Sequence, residues 1–225
     1  MGIADREEAL SVSVTVDAIC IGQPRPFNGA ELSAIAKLPA DGPVDIRTFG
    51  IVGDMVADTR VHGGPDMAVH QYPRDHYEWW ESRLGPHKLL RGANAFGENI
   101  VASGLTEDEV HIGDRFRIGT AVLEVSQPRQ PCWKIDHRFG TSGMVSAIAA
   151  SHRSGWYYRV VENGTAKAGD TLERIETGHE DWPVSRLFAK IYDKAHRAGR
   201  DELLAIAALE KLSEAFREKI RKAIS

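Results

Sequence analysis

Cysteine is almost missing: Cys20 and Cys132 are the only two in 225 residues. Two thiols build neither a disulfide framework nor a cysteine-rich zinc site. No apolar run reaches the ~20 residues that span a bilayer, so no membrane partner is expected. The first ten residues are charged and lack the apolar segment of a secretory leader, so the expectation is a cytoplasmic protein with reduced thiols. Positive charge is not in excess: 28 Lys+Arg stand against 32 Asp+Glu, a net charge of −4. A general nucleic-acid binder needs the opposite balance to displace counterions, so that class is set aside. There is no internal repeat and no low-complexity tract. A P-loop, a dinucleotide fingerprint, a serine-hydrolase elbow and a multi-histidine zinc motif are all lacking. What is there is an ordinary globular composition, 42% hydrophobic and 27% charged. The length suits one large domain, or one domain with a small appendage.

The first three quarters of the chain read as short strands joined by turns. Residues 11–21 alternate, with Val12, Val14, Val16, Ala18 and Cys20 on one face. Residues 43–56 are strand-like with looser alternation. Gly113-Asp114 and Gly169-Asp170 each supply a turn that a strand follows. Many short strands at this spacing predict a closed or nearly closed β-barrel. Two helices interrupt them. Residues 74–84 place Tyr77, Trp80 and Leu84 on one face, with Pro73 in the first turn. Residues 142–152 do the same with Met144, Val145, Ile148 and Ala149. After Glu176 the grammar changes. The expected division is a barrel over 1–176 (core 15–176), a linker over 177–182 and a three-helix domain over 183–225. The first of those helices carries Val184, Leu187, Phe188, Ile191 and Tyr192 and closes at Gly199. The second is capped by Asp201 and carries Leu203, Leu204 and Ala207; the third is capped by Ser213 and carries Phe216, Ile220 and Ile224. About forty residues do not bury a core alone. The tail therefore needs the barrel or a second subunit to cover it, which makes a homodimer one expectation.

Four stretches carry candidate chemistry. Residues 126–134 contain two prolines and form a stiff loop, the kind of place where sites are built. There Cys132 lies between Arg129 and Lys134, cations that favour a thiolate able to act as nucleophile or metal ligand. The other reading is a cysteine that fills space; the prolines and polar neighbours favour the first. Cys20 falls on the valine face, and packing accounts for it. In residues 60–65, Gly63 and Gly64 bring backbone N–H groups close to a ligand, with Arg60 and His62 adding charge; a simple hairpin turn is the alternative. His62 and His70 lack a third partner at zinc-ligand spacing. Glu98 and Asn99 open a strand, and either bond a heterocycle or cap a turn. Arg159 sits among apolar residues and needs an anionic partner, a protein carboxylate or a bound phosphate.

These stretches occur in a fixed order: Val61-His62-Gly63-Gly64-Pro65, His70-Gln71-Tyr72-Pro73-Arg74, Phe96-Gly97-Glu98-Asn99, Ile112-Gly113-Asp114, Gln127-Pro128-Arg129-Gln130-Pro131-Cys132 and Gly155-Trp156-Tyr157-Tyr158-Arg159. Together they resemble the MOSC domain, and within it the YiiM-type branch, in which a three-helix extension follows the barrel. The resemblance covers roughly residues 15–225. It implies a mainly β fold with helices, a barrel similar to that of the pyruvate kinase barrel domain, and an association with the molybdenum cofactor, molybdopterin with Mo. It implies that Cys132 ligates molybdenum and acts as the catalytic residue, since a thiolate is a soft ligand suited to that metal. Arg60, His62, Arg129, Lys134 and Arg159, with the backbone at Gly63 and Gly64, are the implied phosphate contacts. Glu98, Asn99 and Gln127 are implied to hold the pterin or orient groups on the metal. The branch is associated with reducing N-hydroxylated compounds, notably purine bases, a detoxifying reaction. With no flavin, haem or iron–sulfur motif here, electrons are expected from a separate reductase. The competing expectation is a non-enzymatic carrier of the cofactor or of sulfur.

Overall fold

The computed structural model describes residues 12–59 and 62–224. Residues 1–11, Arg60, Val61 and Ser225 lie outside the described residues, and with them the first residue of the expected opening strand and one expected phosphate contact.

Among the described residues the chain forms a closed seven-strand barrel with six α-helices. Its staves are β1 (Ser13–Ile21), β7 (Val69–Pro73), β8 (Ile100–Ala102), β9 (Arg115–Ile118), β10 (Ala121–Pro128), β11 (Trp156–Glu162) and β13 (Thr171–Glu176). They run β13-β9-β10-β11-β7-β8-β1, and β1 pairs back onto β13 to close the ring. Every stave pair is antiparallel except β7 with β8, which is parallel. The remaining strands are peripheral: β2 (Arg25–Asn28) with β3 (Glu31–Ser33), β4 (Leu38–Pro39) on the edge of β1, and β5 (Val44–Arg47) between β6 (Gly50–Ile51) and β12 (Gly164–Ala166). The expected strand over 43–56 is thus a short hairpin followed by a loop. Closure removes the open edges that would otherwise invite aggregation.

The alternation expected along β1 breaks in the middle. A bulge between Val16 and Ala18, opposite β8, shifts the register by one residue. A one-residue shift exchanges the two faces of a strand. Val16 and Ile19 therefore face the barrel core, whereas Ala18 and Cys20 form a separate small cluster with Val101. Cys20 is buried, but not on the valine face.

The helices are α1 (His76–Leu84), α2 (Lys134–Phe139), α3 (Met144–Ser151), α4 (Val184–Tyr192), α5 (Arg200–Ala207) and α6 (Glu214–Ile224). Helix α2, directly after Cys132, is absent from the sequence reading. Pro73 ends β7 instead of opening α1, and α4 stops at Asp193, six residues before Gly199. In α5 the buried residues are Ile206 and Ala207 while Leu204 is exposed, so the expected face is rotated. Ser213 does cap α6, accepting from the Phe216 amide at 3.3 Å.

Two cores result. One fills the barrel and continues without a break into the tail through Val184, Leu187, Ile206, Leu212 and Phe216. The other packs α1, α2 and α3 around Phe96, which stacks on Tyr72 at 4.0 Å between ring centres. This second core buttresses the loop that carries Cys132.

Candidate functional site

Four adjacent staves, β10, β11, β7 and β8, meet on the outer face of the barrel wall and set the floor of a cleft. Tyr157 on β11 pairs with His70 on β7, so both side chains leave the same face, their ring centres 5.1 Å apart. Asn99 immediately precedes β8, and Arg129 immediately follows β10, tied by its amide to the Gly155 carbonyl at 3.0 Å. Loops 33–37 and 54–58 wall the opposite side. The cleft encloses about 870 Å³ of space, part of it open to solvent, and Cys132, Lys134, His62 and Gly63 complete its lining.

The loop from Arg129 to the cleft starts from β10, which is buried along its whole length. Cys132 is half-buried on the cleft wall, and its carbonyl accepts from Ile135 at 3.0 Å in the first turn of α2. Lys134 is the first residue of α2 and its ammonium donates to the Leu32 carbonyl at 3.4 Å. Asn99 is the joint of the floor. Its Oδ1 accepts from the His70 amide at 3.0 Å, and its Nδ2 donates to Asp54 Oδ2 at 2.8 Å and to the Cys20 carbonyl at 3.0 Å. Asp54 in turn pairs with Lys37 and accepts from the Gly22 amide at 2.7 Å.

The cleft is positively biased and under-satisfied. Arg129 Nη1 and His70 Nε2 are buried with no hydrogen-bond partner among the described residues. Such atoms are rare and costly in folded proteins unless a ligand or water meets them. Burial, with Arg129 adding to it, holds His70 well below the usual histidine range. Burial and then Arg129 and Lys134 hold His62 down as well. Both imidazoles are therefore neutral near pH 7 and offer a donor and an acceptor each. Burial pushes the Tyr157 hydroxyl up, against the pull of Arg129, so it stays protonated.

Of the residues singled out from sequence, Cys132, His62, Gly63, Asn99, Arg129 and Lys134 meet at this cleft. Four do not. Glu98 is fully buried and accepts from the Tyr77 hydroxyl and, at 2.8 Å, from the Phe96 amide; it holds its own turn. Gln127 points away and accepts from the Ser213 hydroxyl of the tail. Arg159 is engaged by Asp66 at 2.8 Å and Glu124 at 2.7 Å, so its anionic partners are protein carboxylates. Gly64 precedes the short turn at Pro65–Met67, outside the cleft lining. Glu98, Gln127 and Arg159 are thus engaged within the protein and, with Gly64, do not line the cleft, and Arg60 lies outside the described residues. Lys37, Asp54 and Tyr157 are among the lining residues that the sequence did not single out, and His70 was weighed there only as a zinc ligand. His70 and Tyr157 stood inside quoted motifs; Lys37 and Asp54 carried no signal.

The residues present fit a molybdenum cofactor. A soft sulfur donor and two unpaired buried nitrogens line the same cleft as Lys134, a set that suits a metal and a phosphate-bearing pterin.

Residues 58–173 match the family model described as the MOSC domain. Protein YiiM of Escherichia coli is 40% identical over 154 residues, 68% of this chain and 69% of that protein. A protein named Reductase from Gibberella moniliformis is 39% identical over 159 residues, 70% of this chain but only 28% of its own length. The crystal structure of YiiM from Geobacillus stearothermophilus superposes with a TM-score of 0.79 at 31% identity, covering 94% of this chain and all of that one. By family model, sequence and fold alike, this chain belongs to the MOSC-domain family, which is associated with the molybdenum cofactor.

Proposed function

We propose that the chain binds a molybdenum cofactor through Cys132 and reduces N-hydroxylated compounds, of which N-hydroxylated purine bases are the first to test. The observation that carries this is the half-buried thiol of Cys132 on a cleft wall shared with the unpaired Nη1 of Arg129. The relative named Reductase, which is more than three times longer than the matched region, supports a redox role and an electron source outside this domain.

The chemistry supplied by the bound cofactor would be two-electron reduction with removal of oxygen. The overall change is N–OH plus two electrons and two protons giving N–H and water. Cys132 gives the metal its protein sulfur ligand. Arg129 and Lys134 neutralise the phosphate. Asn99 fixes His70 through the backbone, which keeps the floor rigid. His62, neutral and half-exposed at the cleft, can pass protons from solvent to the departing oxygen. The separate electron donor must be a reductase, since nothing in this chain's sequence carries a flavin, haem or iron–sulfur motif.

Protein made in a cofactor-competent host, given an artificial electron donor, is expected to convert an N-hydroxylated purine to the amine. Cys132→Ser should lower that rate by at least about a hundredfold. Cofactor bound with no turnover from any donor would replace this reading with a carrier role.

A further inference from the structure

A second cluster of donors lies away from the cleft, where two helices end together. His152 caps the C-terminus of α3 and Asp193 caps that of α4, with His196 three residues further on. His152 Nε2 lies 2.9 Å from Asp193 Oδ2, and His196 Nδ1 lies 2.7 Å from the same oxygen. All three donor atoms fall within 4.8 Å of one another. We propose that His152, Asp193 and His196 form a binding site for a zinc-class divalent cation that pins the end of α4 to the end of α3.

Four features favour a cation there. Two ring nitrogens converge on one carboxylate oxygen, so a single ion between them takes the place of two N–H protons. The imidazole planes stand at 86° with centres 5.7 Å apart, so the two donors approach from different directions. The remaining carboxylate oxygen, Oδ1, is fixed by the Ala195 amide at 2.9 Å, the kind of outer contact that orients a metal ligand. Both helices present their C-terminal ends, where the helix dipole favours positive charge. His152 also adopts a left-handed backbone, φ 59°, which a histidine adopts at a cost and which aims its ring at Asp193.

Two imidazoles and one carboxylate suit zinc and its late first-row neighbours, not calcium or magnesium, which want more oxygens. Three protein donors leave the fourth tetrahedral position to water. Ligands of a tetrahedral zinc sit about 3.3 Å apart given bonds of ~2.0–2.1 Å, so Asp193 retreats by about half an ångström on binding. That is within reach of a side chain on an exposed connector. The cation would link the barrel's α3 to the tail's α4 beside the apolar contact that Phe188 makes with Met144, Ala147, Ile148 and the His152 ring. The exposed cations Lys194 and Arg197 of the same connector hold the expected affinity to the micromolar range.

The test uses the untagged full chain carrying Cys132→Ser, which removes the competing thiol. Equilibrium dialysis against Zn²⁺ should give one ion per chain, and Co²⁺ should give the visible absorption of a nitrogen- and oxygen-ligated site. His196→Ala should weaken binding at least tenfold and abolish the rise in Tm with added Zn²⁺; the His196 side chain is exposed, so this variant folds. His152→Asn, which keeps a residue at ease in the left-handed region, should do the same from the barrel side. No zinc bound, or zinc bound equally well by either variant, overturns the proposal.

Discussion

Cys20 and Cys132 are the same side chain in opposite settings. Burial, helped by Glu98, pushes the Cys20 thiol up to about 12, so it stays protonated and inert. Cys132 stands half-open on the cleft among cations. Arg129 and Arg159 differ in the same way, and they separate a site residue from a structural one. Arg129→Gln should lower cofactor content at least tenfold while shifting stability by less than about 1 kcal/mol, because it breaks no ion pair among the described residues. Arg159→Gln should leave cofactor content per folded chain unchanged and cost about 2–3 kcal/mol, because it takes the partner from Asp66 and one of three cations from Glu124. Urea unfolding and metal analysis of both variants check this; the reverse assignment of losses would move Arg159 into the site. Cys132 was legible from its two prolines and flanking charges. Arg159 was legible as a residue in need of an anion, with a protein carboxylate as one reading; which carboxylates it meets was not, since the pairing with Glu124 is set across strands and depends on a bulge in β10. Asp54 and Lys37 were silent for a related reason: their place in the cleft comes from a loop packed against strands far along the chain.

At the scale of elements, the ladder β9-β10-β11 carries a line of charge from Arg115 through Glu124 to Arg159. Lys211 of the tail joins Glu124 at 3.1 Å, and the Lys211 carbonyl accepts from Arg159 at 2.9 Å. Burial raises the Glu124 pKa, but Arg115, Arg159 and Lys211 together outweigh it, and the net shift is downward. The folded value then lies below the unfolded one, near ~4.3, so this stabilisation is complete above that pH and is lost as pH falls through the folded value. Glu124→Gln should therefore lower stability by about 2–4 kcal/mol at pH 7, a gap that closes as pH drops below ~4. Thermal unfolding across pH 3–7 for both proteins measures it; a gap independent of pH would show that charge is not what binds tail to barrel here. The periodic helices α1, α3, α4 and α6 were legible because their apolar faces repeat at helical spacing. Helix α2 was hidden: six residues, Lys134–Phe139, with only Ile135 and Phe139 buried, present too little pattern. The bulge in β1 was hidden too, because a register shift leaves no residue-level mark.

At the scale of the molecule, the barrel was legible from strand spacing and from the motif set, while its closure, β1 onto β13, joins residues more than 150 positions apart and follows from no local rule. The tail is no separate core. Val184, Leu187, Ile206 and Phe216 share one apolar cluster with Val16, Phe116 and Trp156, which covers the tail on the barrel itself. The second core, around Phe96 and Trp80, holds α2 against the rim and so sets where the sulfur of Cys132 sits. No helix among the described residues is long and apolar enough to cross a membrane. Whether that sulfur holds the metal decides the proposed function. The most direct measurement is the molybdenum and pterin content per chain of wild-type protein and of Cys132→Ser, both made in a cofactor-competent host. The expected result is near-stoichiometric molybdenum in the wild type and almost none in the variant, with equal Tm for the two metal-free chains. Equal molybdenum in both proteins would contradict it.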